Sequence, residues 1–510
     1  MLNKILKYIN SGKLLLDLFF IYIIGQSVLP ENAFAKIHIA LPFTNLPLFL
    51  GEMLMMAMFI YTVIYFLKRK IMLSKAPLIF FLLAALFIII KSITGFRYFG
   101  TLAFRNAAMF YYSYIILIAF FNFKDEINMK QYLRYRLRTL VLLYALEALL
   151  LLRFNQSYRI NMLIVIAVIV CFMIDSSKLF KLFYFFPLAC SVYPLLMQNE
   201  CRGSYVAFIG AAFFLFIILI TSLKQGKIDR KIIAKIVSRV LIAALIIFSY
   251  TAIFKRSSVI TLWTEFKSTV DFGNIKSEYQ QSREMITEKL ASNTPKELLD
   301  EHNKKYPIFR IYNDERDQGR IESTFHDLFS GVFKRYSQAN KFLFSDKEAT
   351  LLDNSGNTIG FRYFVNYSNI IWRLYIWKDM LQGGFKSPIW GVPFGKPYRS
   401  IQAILWLGND NAEDVGWLEP HNSFIHMFYR GGVIGLTYFF IIYLYLFSSI
   451  FRLPRKKLFL LPIFFYLVYM FFLALTNVAF ELPYHAIPFW FFAGIYLNLL
   501  RKKEVNESKS

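Results

Sequence analysis

A chain of 510 residues with 58 Lys and Arg against 33 Asp and Glu has a formal charge of +25, which in a soluble protein would point to nucleic acid. Here 57% of the residues are hydrophobic, 19% are aromatic and the mean hydropathy is +0.44. That is above the roughly 45–50% apolar content of soluble domains, so the composition excludes a soluble nucleic-acid binder and predicts an all-α polytopic membrane protein.

The chain opens with basic residues and an apolar run, and no convincing small-residue cleavage site follows, so this run reads as a retained first span. A hydrocarbon layer of about 30 Å needs about 20 apolar residues per helix. Twelve stretches approach that length: 14–30, 46–67, 76–94, 106–123, 138–152, 159–175, 180–198, 203–222, 240–254, 430–451, 458–476 and 484–500. Basic residues gather in alternate connections, at Lys4 to Lys13, Lys68 to Lys75, Lys124 to Arg138, Lys178 and Lys181, Lys224 to Arg239, Arg452 to Lys457 and Arg501 to Lys503. The positive-inside rule makes these the cytoplasmic side. The expected organisation is nine transmembrane helices in 1–254, one large extracytoplasmic, mainly helical loop domain in 255–420, three helices in 421–503 and a cytoplasmic tail at 504–510.

The loop holds 22 basic and 21 acidic side chains, so the charge excess lies elsewhere. Within it, Ser277 to Ala291 and Thr294 to Lys305 read as short polar helices, and Asn354-Ser355-Gly356-Asn357 as a turn. Ile370, Ile371, Leu374, Tyr375 and Leu381 recur at helical spacing, which predicts a membrane-proximal helix over 369–381 carrying Arg373. Cys171, Cys190 and Cys201 show neither a pairing pattern nor metal spacing. Asp410, Glu413, Asp414 and Glu419 are carboxylates of the kind a hard cation takes, but a solvated loop explains them more simply. There is no phosphate-cradling glycine loop and no dinucleotide fingerprint, so no cofactor is expected.

Two groups of residues invite a chemical reading. Arg97, Arg202, Arg373 and Arg430 fall at the expected outer ends of spans or on the loop helix. Arginine near a bilayer is costly unless paired or snorkelling, and its planar fork suits phosphate oxygens. They form a candidate cradle for an anionic head group, against the simpler reading that each snorkels, or that Arg373 pairs with Asp379. The second group is Glu419-Pro420-His421-Asn422-Ser423, just before a glycine-marked apolar run. His421 is a group that exchanges a proton near neutral pH; the simpler reading has His421 and Asn422 capping a helix that starts near Ser423.

Three stretches resemble the O-antigen ligase and polymerase family of bacterial envelope glycosyltransferases. Cys201-Arg202-Gly203 before an apolar span is similar to the family's Ser-Arg-Gly. Arg373-Leu374-Tyr375-Ile376-Trp377 followed by Trp390-Gly391-Val392-Pro393 is similar to its Arg, Trp and Gly-Val-Gly segment. His421-Asn422 followed by Gly432-Val433-Ile434-Gly435 is similar to its His-Asn and Gly-x-x-Gly ending. Cys201 and Pro393 depart from the usual Ser and Gly, and the loop is longer than the family pattern suggests.

The resemblance implies transfer of a glycan from an undecaprenyl-diphosphate carrier to a hydroxyl of a lipid or glycan acceptor. The reaction would occur outside the bacterial cytoplasmic membrane, without metal or nucleotide. Arg202, Arg373, Arg97 and Arg430 would hold the diphosphate, and His421 would act as general base, oriented by Asn422 or Glu419. Ligation and repeat-unit polymerisation share this chemistry. A lipid-linked glycan transporter and a structural envelope protein are the readings from other classes.

Overall fold

In the computed structural model the described residues are 13–28, 38–40, 47–69, 75–100, 102–121, 129–151, 162–174, 180, 183–188, 191, 202–224, 272–292, 350–352, 358–361, 368–396, 400, 402 and 420–501. Helices dominate them. The first are α1 (Lys13–Val28), α2 (Leu50–Arg69), α3 (Lys75–Phe99) and α4 (Leu102–Tyr111). A 3-10 turn at Tyr112–Tyr114 leads into α5 (Ile115–Phe121), and α6 (Met129–Leu151), α7 (Met162–Ile174) and α8 (Arg202–Lys224) follow. The expected loop contributes α9 (Phe272–Ser292) and α10 (Ser368–Phe385); α11 (Ser423–Ser449), α12 (Leu461–Thr476) and α13 (Pro483–Arg501) come last. Two antiparallel hairpins pair β1 (His38–Ala40) with β2 (Pro47–Phe49), and β3 (Thr350–Leu352) with β4 (Thr358–Phe361).

Among the described residues five helical stretches are long and apolar enough to cross a membrane: Leu50–Leu67, Lys75–Phe99, Ala103–Phe121, Ser423–Ser449 and Lys457–Thr476. Shorter apolar helices lie at Leu16–Val28, Met162–Ile174 and Val206–Ile218. The expected span at 240–254, the polar helix at 294–305 and the turn at 354–357 lie outside the described residues, as does most of the span at 180–198. The helix expected from 430 begins seven residues earlier, at Ser423. Extended backbone at Asn422 (φ −158°) stops it there, and the Asn422 Oδ1 accepts the Ile425 amide at 3.0 Å.

Charged side chains find partners near the helix ends. At the end expected to be outer, Arg105 pairs with Glu52 (3.4 Å), whose carboxylate also accepts the Phe49 amide and the Tyr111 hydroxyl. At the other, Asp17 pairs with Arg136, Arg138 stacks on Phe180 (3.8 Å) and the Lys457 ammonium donates to the Leu499 carbonyl (2.8 Å). Between them lies an aromatic core in which Phe439, Tyr443, Phe480 and Trp490 pack ring to ring.

Residues 387–396 depart from the sequence reading, which counts them within the outer loop. They pack between α3 and α11, because α11 is broken at Gly432 (φ 60°, ψ −158°) and the break needs backbone partners. The Val433 and Ile434 amides donate to the Pro388 and Ile389 carbonyls (2.8 and 3.3 Å), and the Val392 amide donates to the Tyr429 carbonyl (2.7 Å). Lys91, in the middle of α3, closes the arrangement: its ammonium donates to the carbonyls of Trp390 (2.9 Å), Gly391 (3.2 Å) and Val392 (2.8 Å). A lysine has three donors, and all three find acceptors here.

Gly391 sits at φ 75°, where a Cβ would lie 2.5 Å from both the Arg430 carbonyl oxygen and the Gly432 nitrogen. Gly391→Ala is therefore expected to lower the melting temperature by more than the left-handed backbone alone explains, which is about 1–2 kcal/mol. Gly100→Ala is the control, since Gly100 has φ 61° and nothing within 4 Å of a Cβ. Equal losses in the two proteins would show that the close approach at Gly391 is not what holds the segment.

Candidate functional site

The site is built on the turn that ends α12. Its residues Leu475, Thr476 and Asn477 bond to segments far apart in sequence. The Asn422 Nδ2 donates to the Leu475 carbonyl (2.8 Å), and the Arg373 Nη1 donates to the Thr476 carbonyl (3.0 Å). The Thr476 hydroxyl donates to the Gly203 carbonyl (3.4 Å), and the His421 Nδ1 meets the Asn477 Oδ1 at 3.3 Å. The start of α8, the early part of α10 and the entry to α11 therefore converge on one turn.

His421 is the sole non-glycine residue with positive φ among the described residues, at 50°. Side chains rarely adopt this region, although histidine is enriched there, and such backbone collects at functional sites. The Asn477 Oδ1 already accepts the Val478 amide (2.9 Å), so it acts as acceptor towards His421 too. His421 Nδ1 then carries the ring hydrogen, and Nε2 is the basic nitrogen of the neutral ring. The polar partner that fixes the tautomer is Asn477, a residue that sequence reasoning missed; its signal was a lone amide between two apolar runs.

Asn422 does not orient His421 through its side chain. Its oxygen caps α11 and its nitrogen ties α11 to Leu475, which uses the amide for structure. Glu419 lies outside the described residues. Arg202 opens α8 beside Gly203, and its side chain is likewise outside the description. Arg373 is half-buried and does not take Asp379 as its partner; Asp379 accepts the Ser400 hydroxyl at 2.5 Å. Burial pushes the Asp379 carboxyl above the usual range, and the Ser400 bond opposes that shift. Trp377, one turn along α10, donates to the Pro420 carbonyl (2.5 Å), which seats α10 against the entry to His421. The same helix is held from its other side by α9, where Ser282 and Tyr375 share a hydrogen bond of 2.7 Å.

Two of the four arginines fall elsewhere. Arg430 is 1% exposed, and its Nη1 donates to the Pro393 and Lys396 carbonyls (3.1 and 2.8 Å). Its Nε donates to the His426 Nε2 (3.4 Å). A guanidinium so enclosed braces the 387–396 segment and has no room for a head group, which corrects the expected diphosphate role. Arg97 is exposed in the last turn of α3, with its guanidinium 6.0 Å from the Tyr98 ring, and no described bond joins it to the α12 turn.

Below the turn lies a polar chain that the sequence did not disclose. Glu481 accepts the Ser423 hydroxyl (2.6 Å), the His426 Nδ1 (3.0 Å) and the Phe480 amide (3.0 Å). Ser423 in turn accepts the Ala479 amide (3.0 Å). The series Glu481, His426, Arg430 thus supplies a carboxylate to a buried cation through a neutral imidazole, and folds residues 477–481 over the start of α11.

No protein-family model, curated protein or solved structure matches this chain.

Proposed function

We propose that this chain is a membrane glycosyltransferase that moves a glycan from an undecaprenyl-diphosphate carrier to an acceptor hydroxyl on the outer side of the bacterial cytoplasmic membrane. The observation that supports it is the meeting of Gly203, Arg373 and His421 on Leu475 to Asn477. Those three residues belong to the three stretches that resemble the O-antigen ligase and polymerase family, and up to 218 residues separate them in the chain.

In this reading the acceptor hydroxyl loses its proton to His421 Nε2 as its oxygen attacks the anomeric carbon. The bond from that carbon to the diphosphate oxygen breaks, and the electron pair leaves with the diphosphate. The Arg373 guanidinium, anchored through one nitrogen on Thr476, stabilises the departing charge as a charge-assisted hydrogen-bond donor, and Arg202, the first residue of α8, is the second arginine of this reading. The activated donor supplies the driving force. The same step serves a ligase or a polymerase, the acceptor alone being different.

The test is transfer by the purified protein from a lipid-linked glycan to a hydroxyl acceptor, together with the glycan profile of cells lacking the chain. Unattached long chains would assign a ligase and single repeats on the acceptor a polymerase. An unchanged profile with no transfer in vitro would sink the reading. Within the assay, Arg373→Lys keeps the charge but loses the fork and is expected to be slow, and Arg373→Ala slower still. Parental rates in both, at matched membrane levels, would remove Arg373 from the site.

The orientation has its own expected result. Ser277, exposed on α9, should accept an impermeant thiol reagent in intact cells when replaced by cysteine. Labelling only after lysis would place the α9 segment, and the site with it, inside.

A further inference from the structure

We infer that residues 385–390 are a re-entrant segment, entering and leaving the bilayer from one side, with their outward apolar side chains against lipid acyl chains. This goes beyond the transfer reaction and does not rest on it.

Two rulers give the depth. The Trp390 ring packs on Phe87 (5.1 Å between centroids), and Phe87 lies twelve residues before the end of α3 at Phe99. At 1.5 Å per residue that is about 18 Å along the helix. Independently, Pro388 bonds to Val433, ten residues from the start of α11, or about 15 Å along it. Both distances approach the middle of a hydrocarbon layer about 30 Å thick.

The backbone carries the inference furthest. Irregular chain survives at such depth only if the protein satisfies its polar groups. Every carbonyl from Pro388 to Pro393 accepts a bond: from Val433, from Ile434, from Lys91 three times in succession, and from Arg430. The Ser387 hydroxyl also donates to Gly391 (3.2 Å). A loop in water has no need of two buried cations to saturate four consecutive carbonyls. The side chains are arranged the other way. Phe385 (65%), Ile389 (67%) and Trp390 (39%) are exposed, and so are Val433 and Ile434 of α11, whose amides pair with this segment. On α3, which Trp390 meets through Phe87, Leu82, Leu86 and Ile90 are exposed as well. Lys386, exposed near the entry, has a stem long enough to snorkel.

The experiment places a nitroxide on a single cysteine at Ile389 in the full chain, otherwise cysteine-free, reconstituted into phosphatidylcholine vesicles. Collision with oxygen and with a water-soluble nickel chelate is then compared with labels at Ile89, exposed on α3, and Lys378, exposed on α10. The nickel collision rate at Ile389 is expected to fall to that at Ile89, with oxygen collisions raised. A label at Phe385 is expected to behave likewise and provides a second site should Ile389→Cys misfold. Nickel access equal to that at Lys378 at both positions would overturn the inference. Dipolar broadening at both would overturn it too, by showing a second copy of the chain on this face.

Discussion

His421→Asn is expected to slow transfer by about 10²–10⁴-fold, the range that a general base contributes, while the protein keeps its melting temperature. Asparagine suits this test better than alanine for a reason found in the backbone. At φ 50° a residue with an ordinary side chain bears about 1–2 kcal/mol of strain, whereas Asn tolerates the left-handed region. An Asn at 421 can also meet the Asn477 amide, so the turn keeps its connection, but it cannot take up the acceptor's proton. His421→Ala adds the strain and is expected to lose stability as well as rate. If the Asn protein transfers glycan at close to the parental rate from purified donor, the imidazole has no part in the chemistry, and its place beside Asn477 is structural.

Removing Glu481 should have the largest effect on stability. Glu481→Ala leaves the Ser423 hydroxyl, the His426 Nδ1 and the Phe480 amide without this acceptor. It also withdraws the carboxylate that the buried Arg430 reaches through His426. Deleting one partner of a buried charge system costs about 3–5 kcal/mol, because the charge left behind stays desolvated. Glu481→Gln keeps the shape and one acceptor for Ser423, but its amide nitrogen then confronts a ring hydrogen of His426, so an intermediate loss is expected. The measurement is the thermal midpoint of the purified proteins in detergent. A Glu481→Ala protein that melts with the parent would mean that Arg430 does not depend on this carboxylate.

The fold and the site were legible in the sequence to different depths. Apolar runs are visible because a helix in lipid must satisfy its own backbone and face outward with hydrocarbon, so α2, α3, α11 and α12 follow from run length. The cap at Asn422 was legible too, since Asn and Ser are residue types that begin a helix. The convergence on the α12 turn could not be read from spacing, because Thr476 and Asn477 are ordinary polar residues whose importance comes from where α8 and α10 arrive. Arg430 misled because proximity to the loop in sequence is not exposure: the 387–396 segment, which pairs with α11 at the Gly432 break, supplies the carbonyls of Pro393 and Lys396 that hold the buried guanidinium. Lys91 was overlooked inside an apolar run. A cation in the interior of a 25-residue helix, away from Lys75 and Arg97 at its ends, is itself a signal, since a charge at that depth needs a partner within the protein.

The three bonds of Lys91 span 299 to 301 residues of chain, which has a bearing on how the protein is made. At about 5–20 residues per second of synthesis, α3 enters the membrane tens of seconds before its partners at 390–392 exist. For that interval the ammonium stands in lipid without those carbonyls, at a cost of about 2.5–3.5 kcal/mol near the middle of a helix on the insertion scale. The leucines, isoleucines and phenylalanines around it are enough to hold α3 in place meanwhile. The early charge thus acts as a socket awaiting a late plug: a chain cut short before residue 390 would carry an inserted helix whose lysine has lost those acceptors. That is the kind of exposed polar group by which membrane quality control recognises an unfinished protein.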